Sequence, residues 1–360
     1  MPKNPYEPKA YLSRSYRGVP GQKPDDGPPP RRLGPRWGRL TFVTAMIIGV
    51  LVGCGVVGGF LWARGVDQNL RREDPFASLE ARPDKVAGGA TNILLLGTDS
   101  QDPDDTGATS GASRGPERSD TIAILHVPAD ARRAYVISLP RDLWVHVPRG
   151  GGGIMAKINA AYAWGGLPLA VATVEEYTGV RMDHVARIDF AGFVKVTDAV
   201  GGVDMTVEQT ITSIHPPYRT FQAGPAHFNG QEALDYVRQR YQFPDGDFAR
   251  MRHQQQFLKA LVDKAASLGA LTSLGSLRDF VNSMADTMTV DKDFSLIDLG
   301  WRLRGLSGDD LVFMISPHSG TDTVGGQSVV MPNRGRASEL YNALGRDRLD
   351  DFVSAHGTGD

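Results

Sequence analysis

The stretch DYVRQRYQFPDGDFARMRHQQQ, residues 235–256, concentrates four arginines and three aspartates in a chain of 360 residues whose formal net charge is only −2. Guanidinium groups suit multi-oxygen anions, because each planar fork donates two parallel hydrogen bonds. The stretch is therefore either the solvated face of a helix or a site for a strongly anionic ligand. In a helix from residue 247, Asp247, Arg250 and Gln254 share one face beside an apolar stripe. This spacing predicts that they lie at the rim of the core.

Two further arginines of this stretch, Arg238 and Arg240, are two positions apart, so a helix would point them in different directions. They can reach one ligand only if the helix unwinds between them, and Pro244 and Gly246 just ahead favour such a break. A helix that begins near Asp247 would add backbone N–H groups that favour phosphate. We interpret the arginines as a clamp for pyrophosphate; periodicity alone leaves the solvated face as an alternative.

Two carboxylates are placed to hold a divalent cation. Asp99 ends one predicted strand and Asp120 opens the next, so both meet at one sheet edge if these strands pair antiparallel. Mg²⁺ prefers a few carboxylates together with water and substrate phosphate; the alternative is that each aspartate caps a turn. Arg118 and Arg141 lie at the same strand ends and could donate to an anion, although Arg141 could equally form a surface pair with Asp142.

The predicted elements that position these residues alternate between strands and helices. Three short apolar runs, TNILLLGTD, DTIAILHV and RAYVISLP, are typical of strands buried on both faces. Helical patterns follow, including NGQEALDYV behind Asn229 and a long helix from Asp247 to about Ser267. The alternation predicts an α/β fold, with helices on both faces of one sheet.

The distribution of charge and hydropathy predicts a membrane-anchored layout. Residues 1–39 hold nine Lys or Arg, three acids and nine of the 23 prolines, which predicts a disordered basic tail. Residues 40–63 form an apolar run long enough to cross a bilayer as a helix. A cleaved signal peptide fits less well, because the run is too long and starts too late. We therefore expect a single-pass protein of the cell membrane, with a cytoplasmic tail and an extracytoplasmic domain.

The remaining segments are a stalk at 64–90, a folded α/β domain at 91–351 and a C-terminal tail at 352–360. The basic tail carries +6, which leaves −8 on the rest of the chain. This acidic balance and the lack of a nucleic-acid motif exclude a nucleic-acid partner.

Six motifs in order carry a resemblance over about Asn92–Leu258: NILLLGTDS, RSDTI, SLPRDL, KINAAYAWGG, VTDAVGGVD and FNGQEALDYVRQRY followed by DGDFARMRHQQ. Together with the anchored layout, they make the chain similar to the LytR-CpsA-Psr family of cell-envelope ligases. The resemblance implies a single α/β/α sandwich around a mixed central sheet. It also implies a phosphotransferase that moves a glycopolymer from a polyprenyl-pyrophosphate carrier to peptidoglycan and forms a phosphodiester. The lipid bilayer and both substrates are the implied partners.

Site residues are carried over from the family motif by motif. The resemblance implies that Asp99 and Asp120 hold Mg²⁺ or Mn²⁺, and that the carrier's apolar tail lies between the sheet and the helices around 190–200 and 255–265. One departure is His253, which stands where the family commonly has arginine. The residues implied to act in catalysis or to bind the pyrophosphate are Arg118, Arg141, Arg238, Arg240, Asp247, Arg250 and Gln254.

Two other functions fit the same residues. A hydrolase would cleave polyprenyl pyrophosphate with water as the acceptor. A non-catalytic binder would hold the lipid-linked polymer for a partner enzyme, but such a binder should not place carboxylates beside its anionic ligand.

Overall fold

A computed structural model describes residues 70–98, 119–267 and 288–358. The predicted basic tail and membrane helix lie outside the described residues, as do Asp99 and Arg118. Within the described ranges, no helix is both long and apolar enough to span a bilayer.

The centre of the fold is a seven-stranded mixed sheet, which confirms the predicted mixed α/β class. Strand β2 (Thr91–Thr98) pairs antiparallel with β3 (Ser119–Val127), the condition for the proposed carboxylate pair, and parallel with β7 (His184–Asp189). In spatial order the strands are β1 (Arg71–Glu73), β12 (Met288–Asp291), β7 (His184–Asp189), β2 (Thr91–Thr98), β3 (Ser119–Val127), β4 (Ala134–Leu139) and β13 (Leu311–Ile315).

Seven helices are described. They are α1 (Asn159–Thr178), α2 (Phe190–Ala199), α3 (Gly230–Val237), α4 (Asp247–Ser267), α5 (Leu296–Leu303), α6 (Arg334–Gly345) and α7 (Leu349–His356). Short 3-10 turns occur at Ala87–Gly89 and Gly308–Asp310. Helix α1 is interrupted, because Gly165 and Gly166 have non-helical backbone angles.

Both faces of the sheet are covered, because side chains alternate along each strand. Leu94 and Leu96 of β2 pack in one apolar cluster with α1, α6 and α7. Ile93, from the other face of β2, packs in a second cluster that includes Leu258 of α4 and Leu299 of α5. Strand β4 is buried along its whole length, as expected for a central apolar strand.

The described residues also form four two-stranded antiparallel sheets beside the main sheet. The pair that bears most on the site joins β5 (Trp144–Val147) to β6 (Ile154–Lys157). The remaining pairs are β8 (Val203–Val207) with β11 (Gly224–Phe228), β9 (Ile211–Thr212) with β10 (Thr220–Phe221), and β14 (His318–Val324) with β15 (Gln327–Pro332).

The folded domain extends beyond the predicted limits of 91 and 351. Residues 70–90 are not only a stalk, because Leu70 is buried and β1 adds a parallel edge strand beside β12. At the other end, Phe352 packs in the core, so α7 belongs to the domain and not to a tail.

Candidate active site

One carboxylate lies at the centre of the candidate site. Asp247 accepts hydrogen bonds from Arg141 Nε at 3.0 Å and Arg250 at 3.0 Å on Oδ2, and from Arg240 at 3.1 Å on Oδ1. Arg141 comes from a distant part of the chain, whereas Arg240 and Arg250 both belong to the stretch at 235–256. Because a single anion fixes all of them, their guanidinium groups converge on one spot instead of spreading into solvent.

Local structure explains why the arginines can converge. Helix α3 ends at Val237, so Arg240 lies in the irregular turn before α4, as the predicted break requires. Gln239 is fully buried and holds this turn by donating to Asp235 and Ser213. Asp247 is the first residue of α4, and Arg250 follows one turn later on the same face.

Asp120 is brought to the site by an irregularity in the sheet. The β2–β3 register pairs Gly97 with Thr121 but Thr98 with Ser119, so Asp120 is the extra residue of a β-bulge. Bulges redirect side chains and are frequent beside active sites. Arg141, which follows β4, donates to Asp120 Oδ1 at 2.6 Å.

Burial and charge act together on these groups. Burial raises the pKa of Asp247, but the three surrounding arginines lower it more, so the pKa is depressed overall. Burial lowers the pKa of Arg141, yet Asp120 and Asp247 outweigh it and raise the pKa. Burial, together with the charge of Arg141, lowers the pKa of Arg250. Since guanidinium stays protonated in proteins, the site keeps its charges at neutral pH.

A small cavity of about 10 Å³ lies over this cluster. Its walls are the start of β3, the end of β4 and the first turns of α4. The lining residues include Asp120, Arg141, Asp247, Arg250 and Gln254. The three residues predicted to share a helix face, Asp247, Arg250 and Gln254, thus all line it.

The other predicted site residues are placed differently. Arg238 is the C-cap of α3, and its guanidinium lies over the Phe190 ring, 4.5 Å from the centroid. It does not line the cavity. The structure therefore brings Arg141, Arg240 and Arg250 together but places Arg238 on a neighbouring aromatic ring. Asp99 and Arg118 lie outside the described residues.

Sequence reasoning gave no role to Lys157, which pairs with Asp142 at 3.0 Å beside Arg141. Its position opposite Trp144 depends on the β5–β6 register, for which the sequence offers no clear signal. His253, the departure from the family pattern, is fully buried between Tyr236 and Phe243 and does not reach the cavity.

The donor chemistry fits a hard divalent cation. Asp120 Oδ1 is held by Arg141, whereas no described residue donates to Oδ2, so one carboxylate oxygen is available. Three guanidiniums face two carboxylates in the cluster, a formal balance of +1, which is less than a dianionic diphosphate diester requires. Among the described residues no group of three metal-ligating side chains occurs. The described part thus supplies one ligand, and the expected second, Asp99, follows Thr98 outside it.

Comparison with known proteins decides the family. The model of the LytR_cpsA_psr family matches residues 62–346. The chain belongs to this family. It is 30% identical to the polyisoprenyl-teichoic acid–peptidoglycan teichoic acid transferase TagU of Bacillus cereus over 269 residues, which cover 72% of this chain and 82% of TagU.

It is also 30% identical to the cell wall biosynthesis protein LcpA of Corynebacterium glutamicum over 284 residues, which cover 68% of this chain and 54% of LcpA. The chain thus spans about half the length of that relative. The crystal structure of TagV from B. subtilis superposes with a TM-score of 0.61 at 25% identity, covering 73% of this chain and 98% of TagV. The LytR_cpsA_psr chain therefore shares both sequence and fold with cell-wall biosynthesis proteins.

Proposed function

We propose that the protein is a membrane-anchored phosphotransferase that moves a glycopolymer from a polyprenyl-pyrophosphate carrier to peptidoglycan. The new bond is a phosphodiester to a sugar hydroxyl of the acceptor, and polyprenyl phosphate leaves. The observation that carries the proposal is the convergence of Arg141, Arg240 and Arg250 on Asp247, next to Asp120. The names of relatives such as TagU support the same substrate classes.

The arginine cluster suits phosphoryl transfer, which depends on positioning and charge neutralisation more than on covalent chemistry. Arg141 and Arg240 are partly exposed and can exchange their bonds to Asp247 for bonds to the diphosphate. Arg250 is 6% exposed and so forms the rigid base of the site. Preorganised donors of this kind stabilise charge that develops in the transition state.

Asp120 would hold Mg²⁺ or Mn²⁺ together with Asp99. When bound, the cation would neutralise the diphosphate oxygens. Asp247 keeps the arginines aimed at the diphosphate before the substrate arrives. With its depressed pKa, Asp247 remains ionised at any pH near neutrality, so this orientation does not depend on pH there.

The apolar tail of the carrier requires an apolar protein surface beside the arginine cluster. Leu95 and Ile188 on the sheet, and Leu258 and Leu261 on α4, are only partly buried and face the same apolar cluster. They offer such a surface on the side where the sequence predicts the tail. The predicted anchor at 40–63 would keep this surface close to the bilayer that contains the substrate.

A reconstituted reaction tests the proposal. Purified full-length protein is mixed with a polyprenyl-pyrophosphate-linked glycan, labelled in the sugar, and with peptidoglycan. We expect label to become attached to peptidoglycan through a phosphodiester, as measured by mass spectrometry of digested product. Release of glycan phosphate at the same rate without peptidoglycan would identify a hydrolase instead. Saturable binding of the donor without turnover would identify a binder.

A further inference from the structure

A second, larger cleft opens beside the arginine cluster and shares Arg141 with it. Its volume is about 520 Å³, within the range of about 300–1,000 Å³ typical of ligand pockets. Its walls are the β5–β6 hairpin, the first turns of α1 and the start of β15. A ligand in this cleft would therefore end next to the proposed site of phosphoryl transfer.

The cleft exposes large apolar side chains on two of its walls. Trp144 and Met155 come from the hairpin, and Trp164 comes from α1. Met155 is 41% exposed, Ile154 49% and Trp164 37%. Contiguous exposed apolar groups in a concave surface indicate a binding site more often than chance.

Both tryptophans are held in place by the backbone. Trp144 pairs with Lys157 across the hairpin. Trp164 ends the first helical part of α1, directly before the break at Gly165, and the guanidinium of Arg149 lies 5.2 Å from its ring centroid. Each ring is a platform with only two side-chain torsions, so it loses little side-chain entropy when a ligand stacks on it.

Polar groups of the cleft lie among these platforms. Asn159 is 9% exposed and lines the cleft, yet its side-chain amide makes no hydrogen bond with any described residue. The amide can therefore donate to and accept from a ligand or water in the cleft. Lys157 and Asp142 form an ion pair at 3.0 Å that offers both a donor and an acceptor.

This combination matches the chemistry of a sugar ring. A pyranose has flat faces of C–H groups, which stack on aromatic rings, and a rim of hydroxyls, which need donors and acceptors. A polyprenyl chain would cover the tryptophans but would bury Asn159 and the Lys157–Asp142 pair without hydrogen bonds.

We infer that the cleft formed by Trp144, Trp164, Asn159 and Lys157 binds pyranose rings of a glycan that ends at Arg141. The inference rests on the proposed function, because that function supplies two glycans: the acceptor strand and the sugar of the donor. Both present the same rings and hydroxyls, so the experiment has one arm for each.

The acceptor arm measures binding of soluble GlcNAc–MurNAc oligosaccharides, prepared from peptidoglycan, to the full-length protein by calorimetry. Trp164→Ala removes a platform, and Ala163→Phe fills the cleft from the same helix. Trp301→Ala is the matched control, because Trp301 is 66% exposed on α5 and is not part of the cleft. We expect both cleft variants to weaken binding at least about 10-fold and the control to match wild type.

The donor arm compares polyprenyl pyrophosphate with and without an attached disaccharide. If the cleft holds the donor sugar, the disaccharide improves binding to wild type, and both cleft variants lose that gain. Binding of the sugar-free carrier should be unchanged in every variant, which also verifies that the variants fold. A loss in either arm supports the inference and identifies the source of the glycan.

The inference is overturned if wild type and both cleft variants behave alike in the two arms, or if wild type shows no gain from sugar in either. Failure of the proposed function gives a different result. In that case, glycan would never be transferred to peptidoglycan, yet Trp164→Ala would still weaken binding of the oligosaccharide. Conversely, normal transfer with an unchanged KM for peptidoglycan and for donor in both cleft variants would retain the function and remove the cleft from it.

Discussion

At the residue scale, the roles of the acidic groups differ with their surroundings. Asp247 accepts hydrogen bonds from three guanidiniums and its pKa is depressed. It therefore stays ionised and orients the arginines. Asp120 keeps one oxygen that accepts no hydrogen bond from a described residue. We therefore assign ion pairing to the first and metal binding to the second.

Substitution of Asp120 tests the assignment to a metal. Asp120→Asn keeps an oxygen that can accept from Arg141 but removes the charge, so the Mg²⁺ concentration for half-maximal transfer should rise at least about 10-fold. Asp142→Asn is the control, because Asp142 also approaches Arg141, at 3.8 Å, but is not a proposed ligand. An equal shift in both variants would mean that the effect passes through Arg141 and not through a metal.

His253 makes the stability of the domain sensitive to acid. Burial lowers its pKa from 6.5 to about 4, and neither ring nitrogen has a hydrogen-bond partner among the described residues. Between these two values the unfolded chain binds a proton that the folded chain does not. Stability due to this group is therefore present above pH 6.5 and is lost as the pH falls towards 4.

We expect His253→Phe, which can pack against Tyr236 and Phe243, to reduce this loss. Between pH 7 and pH 4.5, wild type should lose roughly 2–3 kcal/mol more unfolding free energy than the variant. Urea unfolding at the two pH values measures the difference. His126 is also buried and its pKa is also lowered. Because it is present in both proteins, its contribution cancels in the difference of unfolding free energies. Equal losses in the two proteins would contradict the prediction.

Some site positions follow from sequence and others do not. Helical periodicity placed Asp247, Arg250 and Gln254 on one face, because that spacing is local. The bulge that exposes Asp120 could not be predicted, since it depends on the register between two strands separated by twenty residues. The stacking of Arg238 on Phe190 is likewise a contact between distant segments.

At the scale of elements, α3 is fixed to α2 by close backbone contact. Asn229 begins α3 with a capping box shared with Glu232. At the next position, a Cβ on Gly230 would lie 2.4 Å from the carbonyl oxygen of Val194 in α2. This packing fixes the start of α3 against α2.

Gly230→Ala should therefore destabilise the domain by about 1–3 kcal/mol through overpacking and lower the melting temperature by several degrees. Gly305→Ala is the control, because a Cβ added at Gly305 would have no heavy atom of another described segment within 4 Å. Thermal unfolding followed by circular dichroism measures both. A melting temperature for Gly230→Ala equal to that of the control would contradict the close packing.

The strong local signals predicted elements well. The capping sequence at Asn229 and the apolar runs of β2, β3 and β4 each indicate an element without reference to distant residues. Strand β1 was missed because its three residues, Arg71–Glu73, are polar and gain strand structure only by pairing with β12. The β5–β6 hairpin was missed because its loop is a run of glycines at 150–153, where the strand pattern is interrupted.

At the scale of the whole molecule, the basic tail and the apolar run at 40–63 predict a single-pass membrane anchor. We expect the full-length chain to stay with membranes after alkaline extraction. In intact spheroplasts, protease should digest the domain but leave a tag at residue 1 protected. Release of the chain by alkaline extraction, or digestion of the tag, would contradict the proposed topology.

The central claim is that the arginines around Asp247 bind the diphosphate during transfer, and single substitutions test it most directly. Arg141→Ala and Arg240→Ala should each lower kcat/KM for transfer by at least about 100-fold, because each removes a preorganised donor to developing charge. Arg252→Ala is the control, since Arg252 lies on α4, as Asp247 does, but pairs with Asp245. It should stay within about 3-fold of wild type. If the full-length Arg141 and Arg240 variants fold normally and transfer at the rate of the control, the account of this site is wrong.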